Sequence, residues 1–162
     1  FYFHKKGIVQ EMMHQLKYKG HQDIGQMIGD WYAAELKDLE PLKNIDYIIP
    51  VPLHKRRFRE RGYNQVTMFG KALAQNLAIP FEETILQRKL YTKTQTKKSL
   101  LGRAEISNTI FDITFSESHH GKHFLLIDDV ITTGSTLEAC SRELLKIPNA
   151  KISIVCMAMS HS

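Results

Sequence analysis

Phe124-Leu125-Leu126-Ile127-Asp128-Asp129-Val130-Ile131-Thr132-Thr133-Gly134-Ser135-Thr136 is the stretch whose reading decides the fold. Four apolar residues read as a buried strand, and two acids stand where that strand is expected to emerge. A small, hydroxyl-rich loop with one glycine follows. Leu137, Cys140, Leu144 and Leu145 then fall at helical spacing, so the loop hands over to an amphipathic helix. Strand, acid pair, loop and helix N-terminus together make a place for a phosphorylated sugar. Unpaired N–H groups at a helix start point outward, and the helix dipole favours an anion there. Thr132, Thr133, Ser135 and Thr136 add hydroxyl donors, and Gly134 lets the backbone approach a phosphate closely. Asp128 and Asp129 are the candidate catalytic pair, placed to accept hydrogen bonds from ribose hydroxyls or to hold hydrated Mg²⁺, directly or through water.

Acid pairs at strand ends are common, and a Thr/Ser/Gly loop before a helix can be a turn with a good N-cap. In this order and spacing, however, the run resembles the phosphoribosyl-pyrophosphate signature of type I phosphoribosyltransferases, and every position in it is acceptable to that signature. The resemblance implies that Thr132, Thr133, Gly134, Ser135 and Thr136 hold the ligand's 5′-phosphate.

At 162 residues one domain is the default, with enough chain to bury a substantial core. An apolar fraction of 43% and a charged fraction of 24% are ordinary for a soluble protein. No apolar run approaches the roughly 20 residues that span a bilayer, and no signal-like segment is present, so no membrane partner is expected. The sequence opens on Phe1 rather than methionine and reads as a fragment. Cys140, on the expected helix, and Cys156, in an apolar strand, read as reduced core residues, which fits a cytoplasmic setting. Neither has a partner at metal-ligand spacing.

The net charge of +5 is unevenly spread. His54-Lys55-Arg56-Arg57-Phe58-Arg59-Glu60-Arg61 carries five cations and one acid, and Arg88 to Arg103 carries six cations and no acid. Together these segments exceed the charge of the whole chain, so the remainder is acidic. The basicity is local and awaits an anionic partner.

A coarse pass gives an α/β alternation. Ile8, Met12, Met13 and Leu16 predict a first helix, and Ile24, Ile28, Trp31, Tyr32 and Leu36 a second, capped by Asp23. These form a small helical hood over residues 1–40, with Trp31 and Tyr32 read as core, while residues 41–162 form the body of a single domain. Tyr47 to Pro52 reads as a short buried strand stopped by its prolines. A basic loop follows, and Asn64 is expected to cap a helix carrying Met68, Leu73 and Leu77. Thr84–Leu86 is a weak strand, Ser99 to Ile106 a brief helix, Ile110–Phe115 a strand and Ile152–Met159 the last strand. Strands separated by helices predict a mostly parallel sheet covered on both faces. Ligands in such sheets sit beyond the carboxyl ends of the strands, where the signature loop and the basic loop both fall.

Lys55, Arg56, Arg57 and Arg61 then make a second anion site, suited to pyrophosphate because the guanidinium fork grips phosphate oxygens bidentately. The segments Val51-Pro52-Leu53-His54 and Arg61-Gly62-Tyr63-Asn64-Gln65 resemble the ComF/GntX family of phosphoribosyltransferase-like proteins. Lys17-Tyr18-Lys19-Gly20, Arg88 with Thr94-Gln95, and Arg103 with Asn108 and Phe111 follow the same family order. The resemblance implies a type I phosphoribosyltransferase-like α/β fold. Members often carry a four-cysteine zinc ribbon ahead of this domain, which these residues lack. Members are also linked to DNA uptake in natural competence, often labelled amidophosphoribosyltransferase-like without an established reaction.

Three readings stand at this point. The first is a phosphoribosyltransferase using phosphoribosyl pyrophosphate and Mg²⁺, with Lys93, Gln95, Lys97, Lys98 and Arg103 on a mobile loop over the reaction. The second is a competence accessory protein whose basic segments bind single-stranded DNA. The third is a sensor of phosphoribosyl pyrophosphate or a nucleoside monophosphate. The acceptor base or amine is not legible, and a homodimer is left open.

Overall fold

The computed structural model describes residues 2–3 (backbone), 7–89 and 110–160. A four-stranded parallel sheet runs in the order β1 (Tyr2–Phe3), β6 (Lys151–Ser160), β5 (His123–Ile131) and β2 (Tyr47–Pro50). All three pairings are parallel, with β5 central. A separate antiparallel pair joins β3 (Leu86–Arg88) to β4 (Phe111–Ile113). The helices are α1 (Ile8–Tyr18), α2 (Asp23–Leu36), α3 (Lys55–Arg61), α4 (Thr67–Leu77) and α5 (Ser135–Leu144).

Strand alternation divides the core in two. Leu125 and Ile127 of β5, with Ile48 of β2, face one layer of α1, α2 and α4, where Met13, Leu16, Ile28, Phe69 and Leu73 are buried. Phe124 and Leu126, with Ile49, face the other layer, built from α5 and the β3–β4 pair through Leu137, Cys140, Leu144, Leu86 and Phe111. The two expected hood helices therefore add their apolar faces to the same core that carries the sheet. The α2–α4 contact is close because Gly29 presents no side chain: a Cβ there would stand 2.5 Å from the Ala72 Cβ and 2.8 Å from the Phe69 carbonyl oxygen.

Several expectations are revised. The segment after Pro52 is not a loop but α3. The His54 imidazole accepts from the Arg56 N–H at 3.1 Å, Arg56 pairs Glu60 one turn on at 2.8 Å, and Gly62 closes the helix in the left-handed region at φ 79°. Asn64 does not cap α4, which starts at Thr67 after Val66; its amide donates to the Val51 carbonyl at 3.0 Å instead. The weak strand lies two residues later than expected, at Leu86–Arg88. Trp31 is 54% exposed rather than core, whereas Tyr32 is half-buried and its hydroxyl donates to the Met157 carbonyl at 2.8 Å. The brief helix expected from Ser99 lies outside the described residues. Both cysteines are free thiols, as expected, with burial pushing each up to about 12. Among the described residues no helix is long and apolar enough to cross a membrane.

Candidate functional site

The site forms where β5 outruns β2. Pairing between the two strands ends at Pro50 and Ile127, with one further bond from the Val51 N–H to the Ile127 carbonyl at 2.9 Å. On its other side β5 stays paired with β6 as far as Ile131 and Met159. The acids expected at the strand exit are thus inside the strand, and both line a cleft that opens where β2 has stopped. That cleft, about 320 Å³, is lined by Lys17, Arg57, Gln65, Asp128, Asp129, Thr132 and Thr136, with Val51 to Leu53 forming an apolar wall. A smaller recess of about 40 Å³ opens from it between Asp128 and the 130–137 loop. A second cleft, of about 390 Å³, lies at the opposite end of the sheet near Leu36, Ile45 and Ile79 and carries none of the candidate residues.

The loop is shaped by Gly134, whose φ of 77° suits glycine, and by Thr133, whose hydroxyl lies 3.1 Å from that of Ser135. Thr132, Thr133, Ser135 and Thr136 are all exposed at the start of α5. The recess is anion-sized and ringed by hydroxyls at the positive end of a helix.

The two acids have different surroundings because successive strand residues point to opposite faces. Asp129, 6% exposed, continues the face of Leu125 and Ile127. It pairs with Lys17 Nζ at 2.8 Å, accepts from Gln65 Nε2 at 3.0 Å, and its other oxygen accepts from the Val130 N–H at 2.6 Å. Asp128 lies toward α5 and accepts from the Asp129 N–H at 2.8 Å, with no ion pair to any described cation. Burial, and then the neighbouring Asp129 carboxylate, push Asp128 up to about 7.

Of the four cations expected to hold pyrophosphate, only Arg57 lines the cleft. Lys55 and Arg56 are exposed on the outside of α3, where Arg56 pairs Glu60. Arg61 donates to Gln65 Oε1 at 2.7 Å and sits 4.9 Å over the Tyr18 ring. Lys93, Gln95, Lys97, Lys98 and Arg103 lie outside the described residues.

Two residues that line the site, and a third outside its lining, were not among the expected site residues. Lys17 and Gln65 line the cleft beside Asp129. Arg88 ends β3 with its guanidinium 5.3 Å over the Phe111 ring. Burial, and then the like charge of Arg57, hold Arg88 below its ordinary value. The available signal for Lys17 was its place in the Lys17-Tyr18-Lys19-Gly20 stretch.

The model of the phosphoribosyl transferase domain family matches residues 67–162. Competence protein F of Haemophilus influenzae is 36% identical over 75% of this chain and 54% of its own length. Competence protein ComFC of Bacillus subtilis is 32% identical over 86% of this chain and 54% of its own. DNA utilization protein YhgH of Escherichia coli O157:H7 is 28% identical over 90% and 65%, respectively. The chain thus spans between half and two-thirds of the length of these relatives. Among solved structures, adenine phosphoribosyltransferase from Saccharomyces cerevisiae shares the fold at a TM-score of 0.55 and 20% identity, over 88% of this chain and 72% of that one. Purine phosphoribosyltransferase from Pyrococcus horikoshii does so at 0.51 and 21%, over 82% and 71%. The chain belongs to the phosphoribosyl transferase domain family, has a type I phosphoribosyltransferase-like fold, and is similar to the ComF-type competence proteins.

Proposed function

We propose that this domain binds phosphoribosyl pyrophosphate and transfers or releases its phosphoribosyl group, in a cytoplasmic setting. One observation supports the reading above others: a strand-borne carboxylate without an ion pair among the described residues, Asp128, opens into the same cleft as the hydroxyl-ringed recess and Arg57. The 132–136 loop would hold the 5′-phosphate, Asp128 would accept from a ribose hydroxyl, and Arg57 would meet the diphosphate. As the bond from ribose C1 to the diphosphate oxygen breaks, its electron pair leaves with the diphosphate and the ribose gains oxocarbenium character. Arg57 stabilises the departing charge, and the fixed phosphate end holds the sugar in place. An acceptor amine or base nitrogen, or water in the case of release, forms the new bond to C1 and gives up its proton, so no nucleophile from the protein is required.

Among the described residues no cluster of three or more His, Cys, Asp or Glu could hold a metal. Asp129 is engaged by Lys17 and Gln65, which leaves Asp128 as the carboxylate open to a cation. This donor set suits Mg²⁺ carried on the ligand's own oxygens, with Asp128 as its protein partner directly or through water. Bound there, Mg²⁺ would supply positive charge to the diphosphate.

The reading is tested by thermal unfolding with ligand. Phosphoribosyl pyrophosphate and Mg²⁺ at about 100 times the dissociation constant should add about 2.7 kcal/mol, or roughly 5–11 °C in melting temperature for a domain of this size. A nucleoside 5′-monophosphate should also stabilise the fold. No shift with either ligand at millimolar concentration contradicts the proposal.

A second reading, an accessory protein that binds single-stranded DNA, is favoured by the outer face of α3. Lys55, Arg56 and Arg59 are exposed there, and Phe58 between them is 50% exposed, a ring on which a base could stack. Replacing Lys55 and Arg59 with alanine should flatten the salt dependence of oligonucleotide binding by roughly 1.4, at about 0.7 per phosphate contact. Phosphoribosyl-pyrophosphate affinity should be spared, because neither residue lines the cleft. Wild-type oligonucleotide binding that is undetectable at low salt removes this second reading.

A further inference from the structure

The most recognisable stretch of the sequence outside the signature, Arg61-Gly62-Tyr63-Asn64-Gln65, turns every one of its polar side chains toward another part of the protein. Arg61 donates to Gln65 at 2.7 Å, and Gln65 donates to Asp129 at 3.0 Å. Asn64 donates to the Val51 carbonyl at 3.0 Å, fixing the end of β2. The Tyr63 hydroxyl donates to the Leu16 carbonyl. The last turn of α1 meets this stretch with three consecutive residues: Leu16 accepts from Tyr63, Lys17 pairs Asp129 at 2.8 Å, and the Tyr18 ring lies under Arg61 at 4.9 Å. The C-terminal end of a helix favours cations, and Lys17 and Arg61 both lie there.

We propose that residues 61–65 and the last turn of α1 form one latch that commits Asp129 to positioning, with Lys17 and Gln65 as positioning residues, and leaves Asp128 as the carboxylate that meets the ribose. The proposal rests on the phosphoribosyl-binding reading for its ligand, but the latch itself is a property of the protein alone. Asp129 has Lys17 and Gln65 on one oxygen and the Val130 N–H on the other, which fills three of its roughly four acceptor sites and fixes the carboxylate in place. Asp128 faces no such competition from a described cation. The latch also gives α1 a role: it is tied to the ribose end of the cleft rather than to the phosphate loop.

A double-mutant cycle on Lys17 and Asp129 tests the latch without ligand. Lys17→Met and Asp129→Asn should each lower the melting temperature by about 5 °C or more, since each leaves a part-buried charge unpaired. The double variant should melt no lower than the worse single variant, and Lys17→Arg should melt close to wild type. Additive losses overturn the latch, and a double variant that folds where a single one fails supports it.

The positioning role is read separately by calorimetry with two probes, ribose 5-phosphate and inorganic phosphate. Tyr63→Phe removes one hydroxyl that does not line the cleft and leaves the fold in place. It should weaken ribose 5-phosphate about 3- to 10-fold and leave inorganic phosphate unchanged, because the phosphate loop is untouched. Lys17→Met should show the same split more strongly, with Lys17→Arg restoring binding. Equal losses for both probes, or no loss for ribose 5-phosphate, overturn the positioning role. If wild-type protein binds neither probe, the phosphoribosyl reading fails and the cycle still decides the latch.

Discussion

Replacing Asp128 with asparagine is expected to lower affinity for phosphoribosyl pyrophosphate by about 10- to 150-fold while raising the melting temperature at pH 8. The first effect is the loss of a charge-assisted hydrogen bond to a ribose hydroxyl, worth about 1.5–3 kcal/mol. The second follows from the surroundings of the empty site. Burial and the adjacent Asp129 raise the folded-state value of Asp128 to about 7, above its unfolded value. The folded protein therefore holds more protons than the unfolded chain across the acid range, and stability falls as pH rises through that window. Above it, the ionised carboxylate costs on the order of 1–3 kcal/mol, allowing for water in the open cleft. Asparagine carries no such cost and can still accept from the Asp129 N–H. The variant should thus melt close to wild type near pH 4 and several degrees higher at pH 8, at about 2–4 °C per kcal/mol. Unfolding curves across pH, beside calorimetry with ligand, check both halves. A variant that loses stability at pH 8 would make Asp128 structural and remove it from the ribose.

Arg57→Ala should separate the two phosphate sites. Arg57 is the cleft-lining member of the four expected cations, and no described carboxylate pairs with it. Its removal should cost phosphoribosyl pyrophosphate about 30- to 100-fold, the value of a charge-assisted guanidinium–phosphate contact at about 2–3 kcal/mol. A nucleoside 5′-monophosphate, held by the 132–136 loop without a diphosphate, should keep its affinity within about threefold. The monophosphate is the internal control in the same calorimeter. Equal losses for the two ligands would place Arg57 on the 5′-phosphate or in the fold, and unchanged affinity for both would exclude it from the site.

The run 124–136 carried most of what was legible. Its apolar residues, its glycine and the helical spacing after it are local signals, and β5, the loop and α5 stand where they were expected. The first two helices and the last strand were legible for the same reason, a clear hydrophobic period. The helical state of residues 55–61 was hidden because a cluster of cations reads as a solvated loop; the imidazole cap at His54 and the Arg56–Glu60 pair supply what hydrophobic period does not. The acids were read as one pair because they are adjacent in sequence. Two consecutive residues of a strand must face opposite ways, and applying that period to Asp128 and Asp129 would have separated them. What it would not have supplied is the partner. Lys17 lies more than a hundred residues from Asp129, and only the packing of α1 against the sheet brings them together. Arg61 illustrates the same limit: its residue type suits a phosphate, and its surroundings assign it to Gln65 and Tyr18.

The central claim, that the ligand's 5′-phosphate sits on the 132–136 loop with its ribose on Asp128, is tested most directly by following backbone amide resonances during titration with phosphoribosyl pyrophosphate and Mg²⁺. The largest shifts are expected at Thr132 to Thr136 and at Asp128, smaller ones at Arg57, and little change on the outer face of α3 at Lys55 and Arg59. Shifts gathered on that outer face with the loop unmoved, or no shifts at all, would contradict it.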